Sequence, residues 1–250
     1  MNTRTLIGHG AHKVICLNGW FGSSAGWGPF VDVLDVETFS YAFMDYRGYG
    51  GSQALRGDYS VEEIAADTLA LADRLSWERF SLIGHSMGGM AIQRVLLEAP
   101  QRVSKLVALT PVPANGYPFD AAGFAFFAGA AENTEVRRQI IDKTTGNRLT
   151  GVWLDQIVRH SLENSTREAF AAYLTTWAKS DFSARVKDNP VPIKVIIGEH
   201  DPAINEALVD DTYLSWFPNV ELEIMANAGH YPMYETPVAL ATSIESFLKA

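Results

Sequence analysis

A single cysteine, Cys16, occurs in 250 residues, so no disulfide can form within the chain. Its setting, Val14-Ile15-Cys16-Leu17, is that of an ordinary buried thiol in a reducing compartment. No segment offers the roughly 18 uninterrupted apolar residues of a membrane-spanning helix. The opening stretch Met1–His9 has no apolar run of the secretory kind either, and the expectation is a cytoplasmic protein with no membrane partner. Positive charge is in deficit, with 20 Lys and Arg against 29 Asp and Glu and a formal net charge of −9. That balance opposes contact with phosphate backbones, so nucleic acid is set aside as a partner. Internal repeats and low-complexity tracts are missing as well, which removes solenoid and array architectures.

What is present is enough for a large core. Apolar residues make up 47% of the chain and charged residues 20%, proportions that need no metal or disulfide to fold. Short runs rich in β-branched and aromatic residues read as strands at Val14–Leu17, Phe39–Met44, Phe80–Ile83, Val103–Leu109, Val191–Ile197 and Val220–Met225. Between the second and third, Val61, Ile64, Ala65, Thr68, Leu71, Ala72 and Leu75 recur at helical spacing behind a Ser60/Glu63 capping box. At the end of the chain Thr236 and Pro237 open a helix with Leu240, Ile244, Phe247 and Leu248 on one side. Strand-helix alternation implies an α/β fold, a mainly parallel sheet with helices on both faces and a ligand site beyond the carboxyl ends of the strands.

From Pro113 to Phe182 this rhythm stops. Only helical patterns appear, separated by turn signals such as Thr145-Gly146-Asn147. The spacing predicts a core of residues 1–112 and 183–250 carrying an inserted helical cap, 113–182. The insertion holds Phe119, Phe124, Phe126, Phe127, Trp153, Phe170, Tyr173, Trp177 and Phe182, more aromatic surface than so short a segment needs for its own packing. Part of it is expected to line an apolar pocket.

Directly after the strand Phe80–Ile83 comes Gly84-His85-Ser86-Met87-Gly88-Gly89 and then a helical pattern. A sharp strand-to-helix turn with a strained central residue needs small neighbours, and Gly84 and Gly88 meet that need. Ser86 is the candidate nucleophile. A serine hydroxyl requires a general base. Of six histidines, His230 alone sits in a loop after the last strand and before the closing helix. Asp201, in Gly198-Glu199-His200-Asp201-Pro202 after its own strand, is the candidate carboxylate, with Glu199, Asp210 and Asp211 as rivals. A tetrahedral intermediate needs two backbone donors. Met87 should supply one and Trp20, in Asn18-Gly19-Trp20-Phe21-Gly22, the other, with Phe21 in reserve.

These segments, together with Asp45-Tyr46-Arg47-Gly48-Tyr49-Gly50-Gly51-Ser52, resemble the α/β-hydrolase superfamily, in particular its small capped esterases and C–C-bond hydrolases. The resemblance implies the α/β-hydrolase fold and a triad of Ser86, Asp201 and His230. It makes Asp45–Ser52 a structural turn beside the site. Asn18 stands where that family usually has histidine, so the anchoring of the loop must differ. The expected reaction is hydrolysis of a carboxylic ester or lactone of an apolar or aryl small molecule, with no cofactor and no metal. Trp20, Phe21, Phe124, Phe127, Trp153, Trp177 and Tyr231 are the expected substrate contacts. C–C cleavage of a ring-fission product is the alternative, followed by a cofactor-free dioxygenase or a ligand receptor on the same fold. Dehalogenases and epoxide hydrolases place aspartate where Ser86 stands.

Overall fold

A computed structural model describes residues 2–250. Seven strands form one sheet: β1 (Arg4–Ile7), β2 (His12–Leu17), β3 (Phe39–Met44), β4 (Phe80–His85), β5 (Val103–Leu109), β6 (Ile193–Gly198) and β7 (Val220–Met225). Their order is β1-β3-β2-β4-β5-β6-β7. Only β1 runs antiparallel, paired with β3. The other neighbours are parallel. β2 to β6 are almost wholly buried along their carboxyl halves, as strands covered on both faces must be.

Three strands differ in extent from the expectation and one is additional; β2 begins two residues early, at His12. β1 is an exposed edge whose only apolar residues are Leu6 and Ile7, too short a pattern to register as a strand. β6 begins at Ile193, because Pro192 has no N–H to give a ladder and contributes only its carbonyl, which accepts from Leu106. β4 continues through Gly84 and His85, so the turn is confined to Ser86.

The helices are α1 (Val61–Arg74), α2 (Met87–Glu98), α3 (Ala121–Gly129), α4 (Thr134–Thr144), α5 (Gly151–Glu163), α6 (Arg167–Lys179), α7 (Ser183–Val186), α8 (Glu206–Val209), α9 (Pro232–Glu235) and α10 (Pro237–Lys249). Ser60 caps α1 by accepting from the Glu63 N–H. The Glu63 carboxylate reaches back one and two residues further than a capping box requires, accepting from the N–H groups of Tyr59 and Asp58. α3 to α6 form a helical insertion between β5 and β6.

The segment Asp45–Ser52 ties that insertion to the sheet. Gly50 N–H donates to Asn164 and Thr166 N–H to Gly48. The Tyr173 hydroxyl donates to the Arg47 carbonyl. The buried Asp45 carboxylate accepts from Ser24 N–H, Ser24 Oγ, Thr3 Oγ1 and Gly51 N–H, so one charge is satisfied four times over and fixes three loops.

Candidate active site

Ser86 stands alone between β4 and α2 with φ 53° and ψ −115°, a conformation unfavourable for a side-chain-bearing residue. Three backbone bonds hold it there. Its N–H donates to Leu109, and its carbonyl accepts from Gly89 and Val112. The flanking glycines are required by close approach. A Cβ on Gly84 would lie 2.2 Å from the Gly88 carbonyl, and one on Gly88 would lie 2.1 Å from that of Leu17.

Asp201 and His230 come from the loops after β6 and β7, which are stitched together by the His200 N–H donating to Ala228. Asp201 is buried. Its Oδ1 accepts from the N–H groups of Ala203 at 2.9 Å and Ile204 at 3.2 Å. Its Oδ2 lies 2.5 Å from His230 Nδ1. With Nδ1 committed to a carboxylate, Nδ1 carries the proton and Nε2 is left as the acceptor. The His230 backbone is held from three sides: its N–H donates to Thr144, and its carbonyl accepts from His85 Nε2 and Thr110 Oγ1. Ser86 and His230 line the same cavity. No hydrogen bond joins them among the described residues, a contact that in such sites tightens when substrate binds.

The rivals have other occupations. The Glu199 carboxylate accepts from the Asn227 N–H and pins the β7 loop. Asp210 and Asp211 lie in a π-helical turn continuing α8. His160 is bonded to Ser23, His9 pairs with Glu37 at the surface, and His12 packs on Phe39. His85, next to the nucleophile in sequence, belongs to the site as well. It lines the cavity and supports the His230 carbonyl from below, because β4 extends far enough to keep it in the sheet.

Gly19 to Gly22 form a tight turn closed by the Gly22 N–H donating to Gly19. Among the described residues the N–H groups of Trp20, Phe21 and Met87 have no protein acceptor, as expected at a turn tip and at the first residue of a helix. Asn18, in place of histidine, bonds through Nδ2 to the Gly19 carbonyl, and its own carbonyl accepts from the Tyr46 hydroxyl. Tyr49 likewise donates to the Trp20 carbonyl. Two tyrosines of the Asp45–Ser52 segment therefore anchor this loop.

The cavity has about 50 Å³ of free interior space, narrow beside the roughly 300–1,000 Å³ common for small-molecule sites. Trp20, Phe21, Phe127, Trp177 and Tyr231 line it, together with Phe119, Tyr117, Val112, Ile140, Thr144, Ala203 and Ile204. Phe124 and Trp153 do not. Phe124 packs under the Lys179 ammonium and edge-on against Phe119, and Trp153 stacks edge-on against Tyr231 and Tyr234. Helical spacing cannot tell which side of α3 or α5 meets the strand ends. No Asp, Glu, Lys or Arg is among the lining residues. The cavity continues into an outer chamber that shares Tyr117, Phe119, Phe127, Ile140, Thr144 and Ala203, with Phe126, Asp120 and Lys143 on its walls.

Burial, reinforced by the neighbouring His230, pushes the His85 imidazole down to about 3 from an ordinary 6.5. The unfolded chain therefore takes up a proton below about pH 6.5 that the folded protein refuses until about pH 3, and stability falls as pH falls through that window. His160, also held down by burial, acts in the same direction. Urea unfolding at pH 7 and pH 5 should show a loss in wild type that exceeds the loss in His85→Gln by about 2 kcal/mol. Equal losses would mean that His85 is protonated in the fold.

A family model described as alpha/beta hydrolase fold matches residues 13–237, and the chain belongs to that family. Among its relatives, a 2-hydroxy-6-oxononadienedioate/2-hydroxy-6-oxononatrienedioate hydrolase of Paraburkholderia xenovorans is 27% identical over 96% of this chain and 88% of its own length. A pimeloyl-[acyl-carrier protein] methyl ester esterase of Serratia marcescens is 26% identical over 98% and 96%. The 3-oxoadipate enol-lactonase 2 of Acinetobacter baylyi is 25% identical over 82% and 77%. An esterase from Exiguobacterium antarcticum superposes with a TM-score of 0.89 at 17% identity, covering 100% of this chain and 96% of its own, a likeness of fold. Among the described residues no helix is long and apolar enough to cross a membrane.

Proposed function

We propose that the protein hydrolyses a carboxylic ester or lactone of an uncharged apolar or aryl small molecule through an acyl-Ser86 intermediate. The observation that carries this reading is the His230 Nδ1 to Asp201 Oδ2 bond of 2.5 Å, in a loop pair beside the elbow that presents Ser86. In the first half-reaction Ser86 Oγ attacks the substrate carbonyl while His230 Nε2 takes its proton. The oxyanion is met by the N–H groups of Met87 and Trp20, or of Phe21 in reserve. His230 then returns the proton to the leaving oxygen. In the second half-reaction His230 draws a proton from water, which attacks the acyl carbon and releases the acid with Ser86 restored. Protein groups and water supply every proton.

In this reading residues 1–112 and 183–250 are the catalytic core and 113–182 the cap that walls the cavity. The thiol of Cys16, buried in β2, suits a reducing, cytoplasmic setting. Cleavage of a C–C bond is the second reading, favoured by the Paraburkholderia relative. Against it, no Lys or Arg lines the inner cavity, and the outer chamber sets only Lys143, with Asp120 on the same wall, against the two carboxylates of a dioate. A fluorophosphonate probe should label the peptide carrying Ser86, and a panel of neutral esters should be turned over at least tenfold faster than dienoic keto acids. Faster cleavage of the keto acids would select the second reading, and failure of the probe to label Ser86 would remove both.

A further inference from the structure

The cavity that holds Ser86 and His230 and the chamber beyond it differ widely in room. The inner cavity has about 50 Å³ of free space, the outer chamber about 380 Å³. On the same measure one water molecule needs roughly 10–15 Å³, so the inner cavity receives about three to five non-hydrogen atoms. Acetyl, propionyl and butyryl groups are of that size, and an aryl ring is not. The wall is not free to retreat. Trp20 donates its indole N–H to the Phe170 carbonyl at 2.7 Å and stacks on the Phe170 ring at 4.1 Å between centroids, and Trp177 is buried beside it.

The two spaces join along Tyr117, Phe119, Phe127, Ile140, Thr144 and Ala203, which line both. Where these residues stand relative to the triad decides which half of an ester enters which space. Thr144 and Ala203 are on the histidine side: the Thr144 carbonyl accepts from the His230 N–H, and the Ala203 N–H donates to Asp201 Oδ1. Trp20 and Phe21 of the expected oxyanion loop line the inner cavity and not the outer chamber, as does Val112, whose N–H donates to the Ser86 carbonyl. In acyl transfer the leaving oxygen must meet the imidazole that protonates it, while the acyl group stays with the carbon attached to the serine. The leaving group is thereby directed to the side on which the outer chamber opens, and the acyl group to the narrow end.

The geometry points to an ester of unequal halves: a short acyl group, of two to four carbons, in the inner cavity and a larger apolar alcohol or phenol in the outer chamber, with Val112 as a specificity-determining residue that limits acyl length. The inference rests on the reading of this cavity as the substrate site of a hydrolase. It narrows the substrate from any apolar ester to one whose bulk lies on the alcohol side.

The test uses two series of esters. In the first, p-nitrophenyl esters run from acetate to octanoate. In the second, the acyl group stays acetyl and the alcohol grows from ethyl through benzyl to 2-naphthylethyl. In wild type kcat/KM should drop by about tenfold or more at the first acyl chain beyond butanoate, the scale on which one surplus methylene is rejected by an apolar pocket, and should hold or rise as the alcohol grows. Val112→Ala keeps the backbone N–H that holds Ser86 and should move the acyl limit one or two carbons longer. Val112→Ile should move it shorter. Both should leave the ranking of the acetates as it was, and their turnover of p-nitrophenyl acetate shows that each variant is folded. Long acyl chains accepted together with a preference for the smallest alcohol would reverse the two halves and overturn the assignment. An acyl limit that stays in place in both Val112 variants would overturn the role of Val112. Turnover of both series without a size limit in either would overturn the inference alone, whereas turnover of neither, or turnover persisting in Ser86→Ala, would bring down the hydrolase reading and the inference with it.

Discussion

Ser86→Ala is expected to lower kcat for a short p-nitrophenyl ester by about 10⁴- to 10⁶-fold, the range found when a triad nucleophile is removed, while leaving the fold intact. The substitution deletes one oxygen and nothing that holds the elbow. The bonds from Leu109, Gly89 and Val112 are all to the Ser86 backbone and survive. Alanine meets the same penalty at φ 53° that serine already bears, so the strain is unchanged. Unfolding free energy should shift by less than about 0.5 kcal/mol. Steady-state kinetics beside a denaturation curve check both halves, and most of the activity surviving in a folded variant would reject Ser86 as nucleophile.

Much of the fold was readable because the signals were local. The strand runs are short, apolar and rich in β-branched or aromatic residues, and each buried strand from β2 to β6 overlaps such a run. α1 and α10 were marked by Ser60 and by Thr236-Pro237 at the boundaries where they begin. β1 escaped because an exposed edge strand needs no apolar alternation. Its pairing with β3 comes from backbone groups whose partners lie some 40 residues away, and no local pattern reports that.

The site divides along the same line. Ser86, Asp201 and His230 each follow a strand, so chain position, with the glycines around Ser86, selected them, and the structure brings their loops together. Thr144 was invisible beforehand. Its carbonyl receives the His230 N–H, a contact made only when the end of α4 packs on the loop after β7. The pocket aromatics show the limit most clearly. Phe124 and Phe127 are three residues apart on one helix, yet one reaches the cavity and the other lies under Lys179. α3 is apolar nearly all round with none of its residues buried, so hydrophobic periodicity has no direction to report there. The loss of the histidine usual at position 18 was legible, but its replacement was not, since Tyr46 and Tyr49 reach the loop from another strand end.

Asp201→Asn should lower kcat by about 10⁴-fold, the effect such a change has in a serine triad through the wrong histidine tautomer. The geometry here predicts which way the amide will turn. The N–H groups of Ala203 and Ile204 both point at Oδ1, so the asparagine oxygen must take that position to keep two buried donors satisfied. Its NH₂ group is then left facing His230 Nδ1, where the carboxylate oxygen stood at 2.5 Å. An NH₂ donates, so Nδ1 becomes the acceptor and the imidazole proton moves to Nε2. A protonated Nε2 cannot take the proton of Ser86. KM should change little, because the side chain is buried behind His230, and fluorophosphonate labelling should slow in parallel with kcat, since both need the same proton transfer. Activity within about tenfold of wild type would show that Asp201 serves only to order its own loop, and that His230 finds its working tautomer without it.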